Sequence, residues 1–368
     1  MAAREPQGAR EPRDAREPRG VRPARSAGAA EGARAAQAAA AVQGACPAQE
    51  PLHPGSPHRA ELVQRYPGNP ILTKDDVPYP VETVHNAGAV KHEGRYLLLF
   101  RAHRRNGRSV IGLAESADGL HFTVRPEPFL TPATEGMFAE YEEWGVEDMR
   151  VCALEGEYLL TYSAYSRHGV RIALARTRDF VTVERVALIT PADSRNAVIF
   201  PQRFHGRYAR LDRPHSEIAP WSIWISYSPD LVHWGDSRVV MRPLPYHWDE
   251  MKIGPGATPI RTDQGWLHLY HGVFQTMDGA IYRLGAALHD LEDPARVLGV
   301  ADEWILQPED PWERVGYVHN VVFTCGAIPE EDGTVKIYWG GADTVMCVGT
   351  ARIEDLAALC LSRPRPPL

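Results

Sequence analysis

Short runs of aromatic and β-branched residues alternate with Gly, Asp and Pro along most of the chain, beginning at Tyr66. Apolar positions do not recur with the 3.6-residue period of an amphipathic helix over any long stretch. Short apolar runs bounded by turn-forming residues are typical of β-strands. The pattern therefore predicts an all-β body.

One unit of this pattern occurs five times, and each copy has a Gly turn, a strand, a polar break, a second strand and a turn centred on Asp. The units begin at Gly94, Gly156, Gly206, Gly265 and Gly333. These glycines are 62, 50, 59 and 68 residues apart. A repeat of that length with about four short strands is what a propeller blade needs, because radial repetition protects the sheet edges. The sequence thus predicts a five-bladed β-propeller to about Leu356; a two-sheet sandwich would not account for the recurring turn.

Residues 1–58 differ from the rest of the chain. They contain AREP three times, are rich in Ala, Gly and Arg, and have no Phe, Trp or Tyr. A segment of this composition buries too little apolar surface to offset the entropy lost on ordering. We therefore expect a disordered N-terminal tail over 1–58, followed by a propeller domain over 59–368.

The charge and cysteine content exclude several classes of protein. The 368 residues carry 40 Lys plus Arg and 47 Asp plus Glu, with no block of basic residues, which argues against binding to nucleic acid. No run of 18 apolar residues predicts a membrane span, and the Ala-rich stretch near residues 35–42 does not resemble a signal peptide. The five cysteines lack metal-site spacing, so we expect reduced thiols, no bound metal and a cytoplasmic protein.

Several charged side chains stand within or directly after the apolar runs, where burial is costly unless they are paired or functional. They are Arg101, Asp148, Arg213, His215, His271 and Asp343. Each alone is compatible with a buried ion pair or a turn residue. Their recurrence at equivalent depth in different units is the unusual feature, because a propeller would bring them to one axial pocket.

Glu147 and Asp148 are adjacent, so on a regular strand they should point to opposite faces. This spacing predicts that only one of them is catalytic. Asp148 could instead simply pair with Arg150.

Three cations, Arg195, Arg213 and Lys252, flank strands of successive segments. If they converge they would bind an oxyanion, and guanidinium groups suit phosphate oxygens because they donate two hydrogen bonds at once. The alternative is three solvated surface charges. A nucleotide site of the P-loop type is not indicated, since the GxxxxGK[ST] motif is absent from the sequence.

The sequence resembles glycoside hydrolase family 130, the β-mannoside phosphorylases, from about Asn69 to Ile353. The segments that carry the resemblance are NPIL, HNAGAV, LLLFRA, GVEDMR, SRNAVIFPQRFHGRY, RLDRP, KIGPGATPI, GWLHLYHGV, GAALHDLEDP, GYVHNVVFTCGAI and IYWGGADT. Two positions depart from the family pattern: Arg195 stands where many relatives have Lys, and Met149 where they usually have Pro. The first keeps the charge, and the second leaves the neighbouring aspartate in place.

The resemblance assigns a role to each candidate residue. It implies that Asp148 is the catalytic acid. It implies phosphate-binding cations at Arg195, Arg213 and Lys252, contacts to the mannosyl unit at Asn86, Arg101 and Asp343, and further substrate contacts at Asn196 and His271. Apart from the resemblance, aromatic residues expected around the channel mouth are candidates for stacking on the acceptor sugar, although most aromatic residues in a propeller pack within the blades. They are Tyr141, Trp144, Tyr246, Trp248 and Trp312.

One acid and three cations form a sufficient set for phosphorolysis, because phosphate is already an anion and needs no base, whereas an inverting hydrolase needs two carboxylates. The expected activity is that of an inverting, glycosyltransferase-type phosphorylase. It would cleave β-1,4- or β-1,2-linked manno-oligosaccharides with inorganic phosphate, reversibly, to α-mannose 1-phosphate. The resemblance also suggests that the proton travels through the sugar's 3-hydroxyl.

Two other functions stay open: a β-mannosidase of the same family, and a non-catalytic propeller that binds glycans. No cofactor is expected beyond phosphate as co-substrate, and no nucleic-acid or membrane partner. A homo-oligomer is compatible with the sequence.

Overall fold

The computed structural model describes residues 62–215 and 220–368. The predicted disordered tail, 1–58, lies outside the described residues, as does Cys46. The first strand of the described chain is β1 (Gln64–Arg65), a two-residue strand that pairs with a strand near the end of the chain. A 3-10 helix (Lys74–Asp76) follows it.

The largest sheet contains eight strands. They are β2 (Thr83–His92), β3 (Arg95–His103), β4 (Ser109–Ser116), β5 (Thr123–Val124), β6 (Gly145–Leu154), β7 (Glu157–Ser166), β8 (Gly169–Thr177) and β9 (Glu184–Leu188). Strands β2–β5 and β6–β9 each form an antiparallel group, and a single parallel pair, Ser109 with Gly145, joins the groups. A short helix, α1 (Gly136–Tyr141), lies between them in sequence.

The next two sheets are also antiparallel. The first contains β10 (Ser194–Phe204), β11 (Arg207–Pro214), β12 (Ile223–Ser228) and β13 (Gly235–Met241) in chain order. The second contains β14 (Lys252–Pro255), β15 (Ile260–Arg261), β16 (Trp266–Thr276), β17 (Gly279–His289), β18 (Val297–Ala301) and β22 (Pro364–Arg365). Both β14 and β15 pair with β16, and β22 adds to the β18 edge.

The last sheet combines distant parts of the chain. It contains β19 (Val322–Pro329), β20 (Thr334–Gly341) and β21 (Val345–Arg352), with β1 on the β21 edge. Helices α2 (Pro311–Arg314) and α3 (Ile353–Ser362) precede and follow it. Arg65 of β1 donates to the fully buried Glu313, which also accepts from the Trp339 indole. The four sheets confirm the all-β prediction for the described residues; the five-bladed propeller stays a prediction.

The predicted Asp turns are present in four of the five units. In each, one aspartate carboxylate oxygen accepts hydrogen bonds from two backbone N–H groups just after it, at Asp118, Asp179, Asp230 and Asp290. In the fifth unit the prediction is wrong, because Asp355 lies in the first turn of helix α3, where acidic side chains are favoured by the helix dipole.

The strands that precede the five repeated glycines, here called the first strands, are β2, β6, β10, β14 and β19. Close approach of backbones fixes how they lie together. A Cβ on Gly88 of β2 would lie 2.5 Å from the carbonyl oxygen of Met149 in β6. A Cβ on Gly326 of β19 would lie 2.4 Å from the backbone nitrogen of Ala89. Only glycine fits at these two crossings, so β2 is held directly between β6 and β19, with their polar residues close to one another.

Candidate active site

Three of the first strands carry a β-bulge at the same depth. The strand register shifts between His85 and Gly88 in β2, between Glu147 and Arg150 in β6, and between Arg195 and Val198 in β10. At each bulge a residue has a left-handed backbone: Asn86 (φ +52°), Asp148 (φ +52°) and Asn196 (φ +63°). Asn and Asp tolerate this conformation better than other non-glycine residues, and a bulge re-aims the side chain it carries.

The nine predicted site residues line one cavity of about 230 Å³. They are Asn86, Arg101, Asp148, Arg195, Asn196, Arg213, Lys252, His271 and Asp343. The convergence predicted from the sequence is therefore what the structure shows, and the alternative of solvated surface cations is wrong. The catalytic and binding roles of these residues stay predictions. Five other residues line the cavity: His215, which the sequence placed in the pocket without a specific role, and Tyr282, Val318, Val321 and Phe323, which sequence reasoning missed.

Asp148 is 5% exposed, and two side chains bond the same oxygen of its carboxylate. Asn86 Nδ2 lies 3.0 Å and Arg101 Nη1 3.2 Å from Oδ1. Burial alone would raise the pKa of Asp148, but the charges of Arg101 and Arg150 and the bond from Asn86 outweigh it and hold the pKa well below its usual range. The alternative pairing with Arg150 is not what forms, because Arg150 bonds the backbone oxygen of Asp148 instead.

Only one of the adjacent carboxylates of Glu147 and Asp148 lines the cavity, that of Asp148, as predicted. Both carboxylates contact Arg101, since Nη2 of Arg101 lies 2.8 Å from Glu147 Oε1. The bulge breaks the strict alternation of a regular strand, and the two side chains reach the same guanidinium group. Glu147 does not line the cavity; it lies behind it and also bonds Arg195 Nη1 (3.2 Å) and Ser109 Oγ (3.0 Å). It thus bridges two of the arginines that do line the cavity.

Neutral histidines hold Arg213 in place. Its Nη1 lies 3.2 Å from His271 Nε2, and its Nη2 lies 2.9 Å from His215 Nε2. Burial and the Arg213 charge lower the pKa of His215 to about 4 and that of His271 well below its usual range, so both rings accept these bonds. Asn196 Nδ2 lies 3.4 Å from the same Nε2 of His271.

Lys252 lies between two aromatic rings. Its ammonium is 5.4 Å from the centre of Trp221 and 5.2 Å from that of Tyr282. Burial, followed by the charges of Arg213 and Arg195, lowers the pKa of Lys252 to about 8. Burial also lowers the pKa of Arg213 to about 10. Within the described ranges neither cation has a carboxylate in ion-pair contact, so their charges are left for a ligand.

Asp343 is the second carboxylate of the cavity. Like Asp148 it has a left-handed backbone, with φ +51°. Burial raises its pKa to about 6; Arg101 opposes this effect, while the negative charges of Asp148 and Glu147 add to it. The cavity therefore holds two carboxyl groups whose surroundings move their pKa values in opposite directions.

The aromatic residues predicted to stack on an acceptor do not line this cavity. Trp248 belongs to the hydrophobic core, so that prediction is wrong for it, and Trp312 packs against the core. Tyr141 and Trp144 contact neighbouring side chains, Arg171 and Tyr165, and Tyr246 is 98% exposed. The aromatic rings that do line the cavity are those of Tyr282 and Phe323, and both face His271. Nothing in their sequence context distinguishes them from core residues.

A second, wider cavity of about 670 Å³ lies at the other ends of the first strands and is mostly apolar. Residues of β2, β6, β10, β15 and β19 contribute to it, including Val151 and Cys325. Cys152, Cys325, Cys347 and Cys360 are buried free thiols, as predicted for these four. Across residues 62–215 and 220–368, no group of three His, Cys, Asp or Glu is placed to hold a metal ion, and the helices there lack the length and apolar character to span a bilayer.

Comparison with known proteins gives consistent matches. The model of glycoside hydrolase family 130, described as beta-1,4-mannooligosaccharide phosphorylase, matches residues 59–361. A beta-1,2-mannobiose phosphorylase of Listeria innocua is 40% identical over 249 residues, which cover 67% of this chain and 68% of the relative. A beta-1,4-mannooligosaccharide phosphorylase of Ruminococcus albus is 32% identical over 303 residues, covering 80% of this chain and 90% of the relative. The solved structure of beta-1,2-mannobiose phosphorylase from L. innocua, in complex with beta-1,2-mannobiose, is 32% identical with a TM-score of 0.76, covering 82% of this chain and 99% of that one.

Proposed function

The chain belongs to glycoside hydrolase family 130, and from this membership we propose that it is an inverting β-mannoside phosphorylase. It would cleave β-1,2- or β-1,4-linked manno-oligosaccharides with inorganic phosphate, reversibly, to give α-mannose 1-phosphate. One observation carries the proposal: Asp148 shares a cavity with the three cations Arg195, Arg213 and Lys252, of which the last two have no carboxylate partner in the described part of the chain.

The charge of the site suits a phosphate dianion. Five cations lie in or directly behind the cavity: Arg101, Arg150, Arg195, Arg213 and Lys252. Three carboxylates, those of Glu147, Asp148 and Asp343, oppose them. The balance leaves two positive charges, and it is concentrated at Arg213 and Lys252. Arginine forks supply bidentate hydrogen bonds to phosphate oxygens, so Arg195, Arg213 and Lys252 are the proposed phosphate ligands.

A single acid is sufficient for this reaction. Phosphate oxygen attacks the anomeric carbon while the bond to the leaving oxygen breaks, and the departing oxygen receives a proton. Asp148 is the proposed source of that proton, either directly or through the sugar's 3-hydroxyl. Because Asn86 and Arg101 both bond Oδ1, Oδ2 is the carboxylate oxygen free to carry the proton.

The proton must arrive with the substrates. The pKa of Asp148 is held low, so the carboxylate is ionised in the free site at neutral pH. Phosphate brings negative charge next to it and offsets the cations that lower its pKa, and both effects raise that pKa. Phosphate binding therefore favours protonation of Asp148.

The mannosyl unit is assigned to the side of the cavity formed by Asn86, Arg101 and Asp343. The Asp343 carboxylate, whose pKa is about 6, is mostly ionised at neutral pH and can accept hydrogen bonds from sugar hydroxyls. Asn196 and His271 lie on the Arg213 side, where the Asn196 amide can donate to a phosphate oxygen.

We also propose that residues 59–368 form a five-bladed propeller. Contacts between the first strands support it, because they run in a ring. Strand β2 contacts β6, β6 contacts β10 and β10 contacts β14, while β16, the partner of β14, contacts β19, which returns to β2. The polar bulges of β2, β6 and β10 then face the axis of that ring. We expect a cytoplasmic enzyme, which the four buried free thiols support.

The deciding experiment incubates the protein with β-1,2- and β-1,4-mannobiose, each with and without phosphate, and identifies the products. We expect mannose 1-phosphate only when phosphate is present. The D148N variant should lose about 10²- to 10⁴-fold in kcat, the usual contribution of a general acid, while still binding the disaccharide. In the reverse direction, mannose 1-phosphate with a panel of acceptor sugars reports the linkage formed.

The same assay separates the alternatives. Free mannose released at equal rates with and without phosphate would favour a hydrolase, in which Asp343 would be the second carboxylate. Binding of the disaccharide with no turnover, unchanged in D148N, would favour a glycan-binding protein.

A further inference from the structure

Arg150 joins three segments of the chain beneath the candidate active site. It is 2% exposed and lies on β6, two residues after Asp148. Its Nη1 donates to the backbone oxygen of Asp148 (2.6 Å), and its Nε donates to the backbone oxygen of Gly256 (3.1 Å). Its Nη2 donates to Asn196 Oδ1 (3.3 Å) and to the backbone oxygen of Pro255 (3.3 Å). The acceptors thus belong to β6, to β10 and to the segment at the end of β14.

Two of these acceptors are at bulges whose side chains enter the cavity. Asp148 and Asn196 both have left-handed backbones, so the direction of each side chain depends on how the local peptide groups are held. The bond to the backbone oxygen of Asp148 fixes the orientation of the peptide group between Asp148 and Met149. The bond to Asn196 Oδ1 fixes the amide orientation, which leaves Nδ2 directed toward His271 as a donor.

Resting on the proposed phosphorolysis, we propose that Arg150 is a positioning residue that aims the Asp148 carboxyl and the Asn196 amide at the reacting groups. Arg150 does not line the 230 Å³ cavity, so it acts through these two side chains and not by touching substrate. A planar guanidinium group with donors in fixed directions can hold three segments in one geometry. An ammonium group carries the same charge on a single nitrogen and cannot reproduce that pattern.

The electrostatic surroundings agree with this role. No carboxylate forms an ion pair with Arg150 within residues 62–215 and 220–368, and the guanidinium lies 5.8 Å from the centre of the Phe323 ring. An arginine that served only to stabilise the core would more commonly be neutralised by a buried acid, as Arg365 is by Asp249 at 2.7 Å. Arg150 instead donates its hydrogen bonds to backbone oxygens and a side chain that form the site.

The test compares R150K and R150A with the wild type and with a control, R365K. Arg365 is also buried and bonds two backbone oxygens, those of Arg242 and Pro366, but it does not line the candidate cavity. Initial rates of phosphorolysis are measured at varied concentrations of disaccharide and of phosphate, and urea unfolding reports the folded fraction of each variant.

We expect R150K to stay folded and to lose about 10²-fold in kcat, the typical effect of a small misplacement of reacting groups, with KM for the disaccharide little changed. R365K should lose stability but keep its kcat per folded molecule. Added guanidinium ion should raise the activity of R150A at least tenfold, because it can donate hydrogen bonds to the oxygens that Arg150 binds in the wild type.

Two results would overturn the inference. One is an R150K variant with wild-type kcat. The other is a loss of activity in R150K and R150A that is no larger than the loss of folded protein, with no rescue of R150A by guanidinium ion. A wild-type protein that makes no mannose 1-phosphate would instead overturn the proposed function together with this inference. An active wild type with an equally active R150K overturns the inference alone.

Discussion

Lys252 is a half-buried cation with no carboxylate partner among the described residues, so replacing it with methionine should stabilise the protein and at the same time abolish phosphate binding. A lysine in water has a pKa of 10.5, and burial with the nearby arginines lowers that of Lys252 to about 8. A difference of about 2.5 pKa units corresponds to about 3 kcal/mol at 1.36 kcal/mol per unit. This is the free energy that the native state loses by holding the charged ammonium at neutral pH.

The pH dependence has a definite sign. Because the pKa of Lys252 is lower in the native than in the unfolded state, the unfolded state binds more protons between pH 8 and 10.5, and stability should rise with pH there. Below pH 8 the ammonium is charged in both states, so the full free-energy cost of burying its charge is present. Methionine keeps an unbranched apolar chain between Trp221 and Tyr282 but carries no charge, so K252M should lack this rise.

Urea unfolding at pH 7, with and without phosphate, measures both effects. Without phosphate, K252M should unfold with a free energy about 2 to 3 kcal/mol higher than the wild type, given the shift in its pKa. Phosphate at 100 times its dissociation constant should add about 2.7 kcal/mol to the wild type and much less to K252M. The matched control is K336M, because the Lys336 ammonium lies 2.8 Å from Glu330 and its pKa is raised, so this variant should become less stable. The reasoning is refuted if K252M is destabilised as K336M is, or if phosphate stabilises K252M as much as the wild type.

Three further results are expected. The kcat/KM for phosphate should fall as pH rises through about 8, because Lys252 loses the charge that attracts the anion; initial rates from pH 6 to 10 measure this. E142A should lower the free energy of unfolding by about 3 to 5 kcal/mol, since the fully buried Glu142 accepts from Arg185 and its loss leaves that charge unpaired. G88A should unfold at lower urea and lose activity, because the added Cβ would meet the Met149 carbonyl at 2.5 Å, next to Asp148.

Each of these has a control within the chain. The pH dependence on phosphate should disappear in K252M. E143Q removes an exposed partner of Arg167 and should leave stability unchanged, so an equal effect of both glutamate changes would contradict the role of burial. An alanine at Gly235, where a Cβ would meet nothing within 4 Å, should leave urea unfolding and activity near those of the wild type; if G88A behaved the same way, close packing of β2 on β6 would not matter.

Much of the fold follows from local sequence. Apolar runs and turn residues determine where strands begin and end, and four of the five repeated aspartates form the predicted turn because their carboxylates bond the next backbone N–H groups. The fifth, Asp355, does not, since Ile353–Ser362 packs as a helix whose buried face includes Leu356 and Cys360. The helix is stabilised there by tertiary contacts, and a repeat pattern in the sequence carries no information about such contacts.

The residues of the site were predictable, but their geometry was not. Charged residues in apolar runs are costly to bury, and that cost identified Arg101, Asp148, Arg213, His215, His271 and Asp343. Asn86 and Asn196 were expected only from the family resemblance. The prediction that only one of Glu147 and Asp148 enters the pocket holds, but it assumed a regular strand and missed their shared contact to Arg101. Asp148 instead lies at a bulge and has a left-handed backbone. A bulge at a non-glycine residue leaves only a weak sequence signal, here an Asn or Asp followed by Ala or Met.

The pairing of β1 with β21 makes the last sheet dependent on both ends of the described chain, since Gln64 lies opposite Thr350. During synthesis this sheet must wait until β21 has left the ribosome, while the hairpins before it can form as they emerge. The same pairing constrains engineering, because trimming the chain past Arg65 would expose the β21 edge to other molecules.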